Sequence, residues 1–135
     1  MVKDVRLGKE ISITVVNKIG VLADMSKILA SGGINIEGVA GYAAMDKTAK
    51  IMLVTEDSVR AVDALTKAGY KCQEKEVIIV DLENKTGALK TITAKLAAED
   101  IDINQIYGTA CTAGCPAKIV ISTSDNEKAL IAFKK

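Results

Sequence analysis

Two tetrads of the chain have the residue types to bring main chain against a small ligand: Asn17-Lys18-Ile19-Gly20 and Asn84-Lys85-Thr86-Gly87. Asn offers both a donor and an acceptor. Gly at a strand-to-helix turn lets a ligand approach the backbone closely. The N–H groups in the first turn of a following helix suit a carboxylate. The same residues also serve plain turn and cap geometry, whether or not anything binds. A second constellation is Cys111-Thr-Ala-Gly-Cys115, followed by Pro116. Two thiols four apart could hold a metal or form a redox pair. The spacing is not Cys-x-x-Cys, however, and Cys72 completes a tetrahedral site poorly, so small residues in a hairpin turn are the plainer reading. Glu99, Asp100 and Asp102 cluster at a helix end as a solvated turn would. Ser31-Gly32-Gly33 follows a helix and lacks the Lys-Ser/Thr of a phosphate loop.

What surrounds these residues narrows the chemistry. The 135 residues include 18 Lys+Arg and 17 Asp+Glu, with no His, no Trp and one Pro. Without His there are no imidazole bases, no His-containing triads and no His-containing zinc sites. No nucleophile elbow and no carboxylate pair at a recognisable spacing is present, so the chain reads as a non-enzyme without a cofactor. A net charge of +1 argues against a basic nucleic-acid face. Four aromatics, Tyr42, Tyr70, Tyr107 and Phe133, do not make a base-stacking surface. No stretch is long and apolar enough to cross a membrane, and the charged N-terminus has no signal-peptide core behind it. Three cysteines suggest no disulfide framework, so a reducing cytoplasm is the expected location.

The elements that must position the tetrads repeat along the chain. Ile11–Lys67 can be laid on Ile78–Lys135. The tetrads then coincide, Leu29-Ala30 meets Leu96-Ala97, Ile34-Asn35-Ile36 meets Ile101-Asp102-Ile103, and Gly41 meets Gly108. After one extra residue in the second copy, Lys50-Ile51 meets Lys118-Ile119, Asp57 meets Asp125, and Ala61 meets Ala129. In each copy a half-buried strand comes first: Ile11, Ile13 and Val15, then Ile78, Val80 and Leu82. A helix follows, with stripe Val21, Leu22, Met25, Ile28 and Leu29 in one copy and Leu89, Ile92 and Leu96 in the other. Ile34–Ala44 and Thr48–Thr55 read as a hairpin around Met45-Asp46-Lys47. Asp57 or Ser58 caps a second helix with face Ala61, Val62 and Leu65, matched by Ala129, Leu130 and Phe133. Tyr70–Gln73 is a fourth strand.

This order predicts an α+β protein of two ferredoxin-like βαββαβ units, antiparallel sheets with helices on one face. The units are expected at residues 1–74, an N-terminal extension plus the first, and 75–135, the second. Lys135 aligns with Lys67, so the second copy lacks its own last strand. Because an open inner edge is a liability, Lys3–Leu7 is expected to fill that slot, or else a neighbouring chain does. Val77 and Ile79 alternate with the core set, and an exposed apolar face there would call for cover from the other unit or a second chain.

Asn-Lys-x-Gly-x-Leu after a strand, a dozen helical residues and then Ile-Asn-Ile resembles the ACT domain, a βαββαβ module that usually binds amino acids and regulates metabolic enzymes. The pattern occurs twice, so the chain is similar to stand-alone tandem ACT proteins without a catalytic domain. The family often has Pro where Ile19 and Thr86 stand. The resemblance implies edge-to-edge pairing through second strands, with ligand between one unit's first loop and its neighbour's second strand. The implied ligand-binding residues are Asn17, Ile19, Gly20, Val21 and Leu22 with Ile36, Glu37, Gly38 and Val39, and Asn84, Thr86, Gly87, Ala88 and Leu89 with Ile103, Asn104, Gln105 and Ile106. Glu37 or Asn104 would receive the ammonium group, while Val21, Leu22 and Leu89 read more simply as core. The implied role is a sensor whose ligand is an amino acid bound at the interface of ACT-like units. Its implied assembly is a homodimer with a regulated metabolic enzyme as partner, and no nucleic acid or membrane. The alternatives are a ligand-free oligomerisation or interaction module, and a thiol or metal function at Cys111 and Cys115.

Overall fold

A computed structural model describes residues 2–112 and 114–135. They divide into two compact units, residues 9–75 and residues 2–8 with 76–135. In the first unit, β1 (Val2–Val16) contributes its residues from Lys9 onward. It is followed by α1 (Val21–Ser31), β2 (Ile36–Ala43), β3 (Thr48–Thr55), α2 (Ser58–Lys67) and the start of β4 (Cys72–Leu82). The strand order is β2-β3-β1-β4. β3 runs antiparallel to both neighbours, pairing Ile11 with Leu53 and Ile13 with Ile51 on one side, and Val39 with Leu53 and Gly41 with Ile51 on the other. The alternation of Ile11 and Ile13 with Ser12 and Thr14 sends the isoleucines to the helix side. There they pack with Met25, Leu29, Ile34, Ile51, Leu53, Ala61 and Leu65 in one buried core.

The helix ends follow local chemistry. Asp57 caps α2 by accepting the Arg60 main-chain N–H at 3.1 Å, and the Arg60 guanidinium donates to the Gly32 carbonyl beyond α1. Tyr70 donates its hydroxyl to Asp24 on α1. Donating to that carboxylate pushes the Tyr70 pKa above its ordinary value. Leu22, expected in the α1 stripe, is 46% exposed. Met25 and Leu29, one and two turns on, take the buried positions.

The second unit repeats the plan with a different source for one strand. β4, α3 (Ala88–Ala98), β5 (Ile103–Thr109), β6 (Ala117–Thr123) and α4 (Asn126–Lys134) follow in order, and residues 2–8 of β1 join them. The order is β1-β4-β6-β5. β6 pairs antiparallel with β4 (Ile78 with Ile121, Val80 with Ile119) and with β5 (Ile106 with Ile121, Gly108 with Ile119). Ile78, Val80 and Leu82 meet Ala88, Ile92, Leu96, Ile101, Ile121, Ala129 and Phe133 in the core, with Val2 and Val5 half-buried against it. Leu89, expected in this stripe, is 51% exposed. Ala88, expected at the ligand loop, sits in the core instead, because one residue earlier places it a turn ahead of Ile92 on the same face. Asp125 caps α4 by accepting the Lys128 N–H at 3.0 Å.

Residues 2–8 thus lie beside β4, the place the start of β4 takes beside β1 in the first unit. Arg6 reaches Asp81 at 3.5 Å, and a Cβ on Gly8 would come within 2.6 Å of the Ile79 side chain. β4 is one strand from Cys72 to Leu82 rather than two, since no Gly, Pro or Asn interrupts it. Val77 and Ile79 are 0% and 4% exposed although neither belongs to the helix-side core. Both are therefore covered within this chain, and they give no argument for a second chain there.

Two predictions follow from this packing. Deleting residues 1–8 bares β4 and removes Val2 and Val5, and should cost at least about 2 kcal/mol in urea unfolding; an unchanged midpoint overturns the placement. A Cβ on Gly108 would stand 2.8 Å from the Lys118 carbonyl oxygen, whereas one on Gly41 meets the Lys50 oxygen at 3.4 Å. Gly108→Ala should therefore lose about 1–3 kcal/mol, and Gly41→Ala should stay within about 0.5 kcal/mol of the parent.

Candidate functional site

Each tetrad forms the turn between the first strand and first helix of its unit. Gly20 and Gly87 stand at the N-caps of α1 and α3 with φ of 93° and 90°, a left-handed conformation that a side chain would strain. Their carbonyls accept the first helical bonds, from Asp24 N–H at 2.9 Å and Thr91 N–H at 3.1 Å. No side chain caps either helix, in contrast to α2 and α4 with Asp57 and Asp125. The Val21 and Ala88 N–H groups go to the Lys18 and Lys85 carbonyls at 3.4 and 3.2 Å, and glycine has no side-chain oxygen to offer the rest of the first turn, so the positive helix end keeps no side-chain acceptor.

Both turns are tied to the tip of the hairpin beside them. Asn17 donates its main-chain N–H to Lys47 O at 2.8 Å. In the second unit the tie is a side chain, the Asn84 amide donating to the Cys111 carbonyl. Ile19, Leu22, Thr86 and Leu89 are exposed, and Val21 is half-buried against its core. Lys85 pairs with Glu83 at 3.0 Å, and that hydrogen bond and charge hold the Glu83 carboxyl below its usual range.

The second strands each carry a bulge. The β2–β3 register slips between Ile36 and Gly38, and the β5–β6 register between Ile103 and Gln105. The extra residues are Glu37 and Asn104, both exposed. The slip puts Ile36 and Val39 on the core side together, and likewise Ile103 and Ile106, while leaving the bulged side chains re-aimed. β2 pairs only with β3 and β5 only with β6 among the described residues, so both are edge strands. The turn and bulge of one unit do not come together. Asn17 is tied to Lys47, past the end of β2, whereas Glu37 lies six residues before that end, about 20 Å away at 3.3 Å per residue.

The cysteines depart from expectation. Cys111 and Cys115 form a disulfide, with Cα atoms 6.0 Å apart, where no disulfide was expected. Between β5 and β6 the chain doubles back within a few residues, and that brings the two sulfurs together. Ala113, between them, lies outside the described residues. Among the described residues no three of His, Cys, Asp and Glu gather as metal ligands would. Gly114, Cys115 and Pro116 line a cavity of about 240 Å³ with Lys3, Glu83 and Asn84. Lys3 and Glu83 are additions to the sequence-derived set. Glu83 adjoins the tetrad, but Lys3 reaches it only through the strand position of residues 2–8.

Comparison with known proteins agrees with this construction. Residues 11–73 match the family model of the AHAS small subunit-like ACT domain. Among solved structures, protein BT0572 from Bacteroides thetaiotaomicron is 25% identical, with a TM-score of 0.87 over 96% of this chain and 88% of that one. The ligand-free regulatory subunit of aspartate kinase from Thermus thermophilus is 15% identical, with a TM-score of 0.69 over 98% and 96% of the two chains. Its counterpart from Thermus flavus is 16% identical, with a TM-score of 0.60 over the same shares. At such identities the two kinase subunits speak to the fold. No curated protein matches the sequence. No helix among the described residues is long and apolar enough to cross a membrane. Residues 11–73 thus match an ACT family model, and the second repeat is built from the same elements in the same order.

Proposed function

We propose that this chain is a non-catalytic regulatory protein of the cytoplasm that binds an amino acid at its strand-to-helix turns. The carrying observation is the contrast between helix ends. α2 and α4 have aspartate caps, while α1 and α3 start at left-handed glycines with no side-chain cap and an Asn three residues earlier. An α-carboxylate satisfies such an end, and the Asn amide can serve the rest of the ligand. The bulged Glu37 and Asn104 suit an ammonium group, and their edge strands suit pairing with a second copy in a homodimer. The similar kinase regulatory subunits supply the model for output, in which ligand binding shifts an arrangement that a metabolic enzyme reads.

The two turns are not equivalent under this reading. The first unit exposes Val16, Ile19 and Tyr42, and the aligned residues of the second are Glu83, Thr86 and Thr109. The polar second turn, with Lys3 and Glu83 beside Asn84, is the better zwitterion site. The apolar first turn favours protein contact, and it is the specific support for the rival reading of a ligand-free interaction module.

Thermal unfolding with each proteinogenic amino acid tests the proposal. A ligand at a hundred times its Kd should add about 2.7 kcal/mol of stability. Asn84→Ala should abolish the shift and Asn17→Ala reduce it less. If no amino acid moves the transition, the interaction module is the reading that stands.

A further inference from the structure

The second unit holds a sulfur pair that amino-acid binding does not use. Cys111 and Cys115 are both exposed, so a small thiol or disulfide can reach them. Their bridge closes a short ring at the hairpin tip, and the Cys111 carbonyl on that ring accepts the Asn84 side-chain amide. Cys115, with its neighbours Gly114 and Pro116, also walls the cavity that contains Lys3, Glu83 and Asn84. The main-chain N–H of Cys115 points at Cys111 Sγ from 3.2 Å. Cys72 is a different kind of cysteine: it is half-buried, and burial pushes its thiol pKa up.

The first unit is the internal control. Its turn is held by a main-chain bond from Asn17 to Lys47, and its hairpin tip has Ala44 where the aligned second tip has Cys111. Only the second turn depends on a side-chain tether whose acceptor sits inside a disulfide ring.

We propose that Cys111 and Cys115 are a reversible thiol–disulfide switch that holds Asn84 in place when oxidised and releases it when reduced, so that amino-acid affinity at the second turn follows redox state. This regulation rests on the reading of that turn as an amino-acid site. In the oxidising direction the Cys111 thiolate attacks an external disulfide, forming a mixed disulfide and releasing one thiolate. Cys115 loses its proton to solvent and attacks the Cys111 sulfur, releasing the second thiolate. Two protein thiols are oxidised and one external disulfide is reduced to two thiols; a dithiol reductant runs the exchange backward. In a reducing compartment, disulfides that do form are typically transient and regulatory.

The test uses the full chain carrying Cys72→Ala, so that only the pair reacts. After equilibration in glutathione buffers of graded ratio, alkylation and mass measurement should show one two-electron transition without a lasting glutathione adduct. Amide hydrogen exchange in residues 84–88 should quicken about tenfold on reduction while residues 17–21 stay unchanged. The double variant Cys111→Ser/Cys115→Ser should exchange fast in every buffer. Kd for an amino acid found in the thermal panel should rise about tenfold on reduction. Thiols that stay free in all buffers overturn the switch, as does a bridge that forms without changing exchange at 84–88. Equal amino-acid affinity in both redox states overturns the regulation and leaves the amino-acid reading intact. A redox-dependent loop that binds no amino acid in either state does the reverse, ending the amino-acid reading while the loop switch stands.

Discussion

A βαββαβ unit needs a strand on the outer side of its first strand, because that first strand otherwise shows a row of bare N–H and C=O groups. In the first unit the need is met locally, by the chain that follows α2. The second repeat ends with α4, and residues 2–8 stand in the corresponding place. Much else depends on that substitution. It puts Val2 and Val5 against the second core, sets Arg6 near Asp81, and brings Gly8 close against the Ile79 side chain. It also carries Lys3 to the cavity beside Asn84. The most polar corner of the candidate site is thus a by-product of closing a sheet edge.

A second constraint governs how a ligand could be held. The turn and the bulge, the two features of each unit best shaped for a zwitterion, sit at opposite ends of the second strand. Bulges persist because they redirect a side chain at small cost to the ladder, and here both fall at the same aligned position, Glu37 and Asn104. Under the proposed amino-acid reading, binding that used both features would join one copy's turn to a second copy's bulge, and a ligand that binds only the joined state stabilises it by its full differential affinity. This is the physical basis on which a small molecule can act as a regulator without any chemistry being done on it.

Much of the fold was legible in the sequence. Alternating Ile11, Ile13 and Val15 gave a strand, Asp57 and Asp125 marked helix starts, and the repeat established the order of elements. Three features were not legible, each for its own reason. The unbroken run of β4 through Lys75 was missed because repeat alignment imposes a boundary that the backbone does not need. Leu22 and Leu89 were placed in the core because a helical stripe has the right period without saying where the sheet beneath it ends. The Glu37 and Asn104 bulges are properties of register, which only the partner strand defines. At the site, Asn and Gly were readable by type, whereas the Cys111–Cys115 bridge and the reach of Lys3 depend on how the chain doubles back.

The divergence of the two repeats is most telling at the turn itself. Both keep the left-handed glycine and the uncapped helix, which geometry alone would preserve. They differ in what anchors the turn to its hairpin. A main-chain bond, as from Asn17 to Lys47, is indifferent to side-chain identity and to the sulfur chemistry of its surroundings. A side-chain bond to a carbonyl inside a five-residue ring is sensitive to both. The first turn combines the insensitive anchor with apolar neighbours, and the second combines the sensitive anchor with Lys3 and Glu83. A steady contact surface needs a turn that does not respond to its environment, and a sensing site needs one that does; in each repeat the anchor and the neighbouring side chains point to the same one of these two roles.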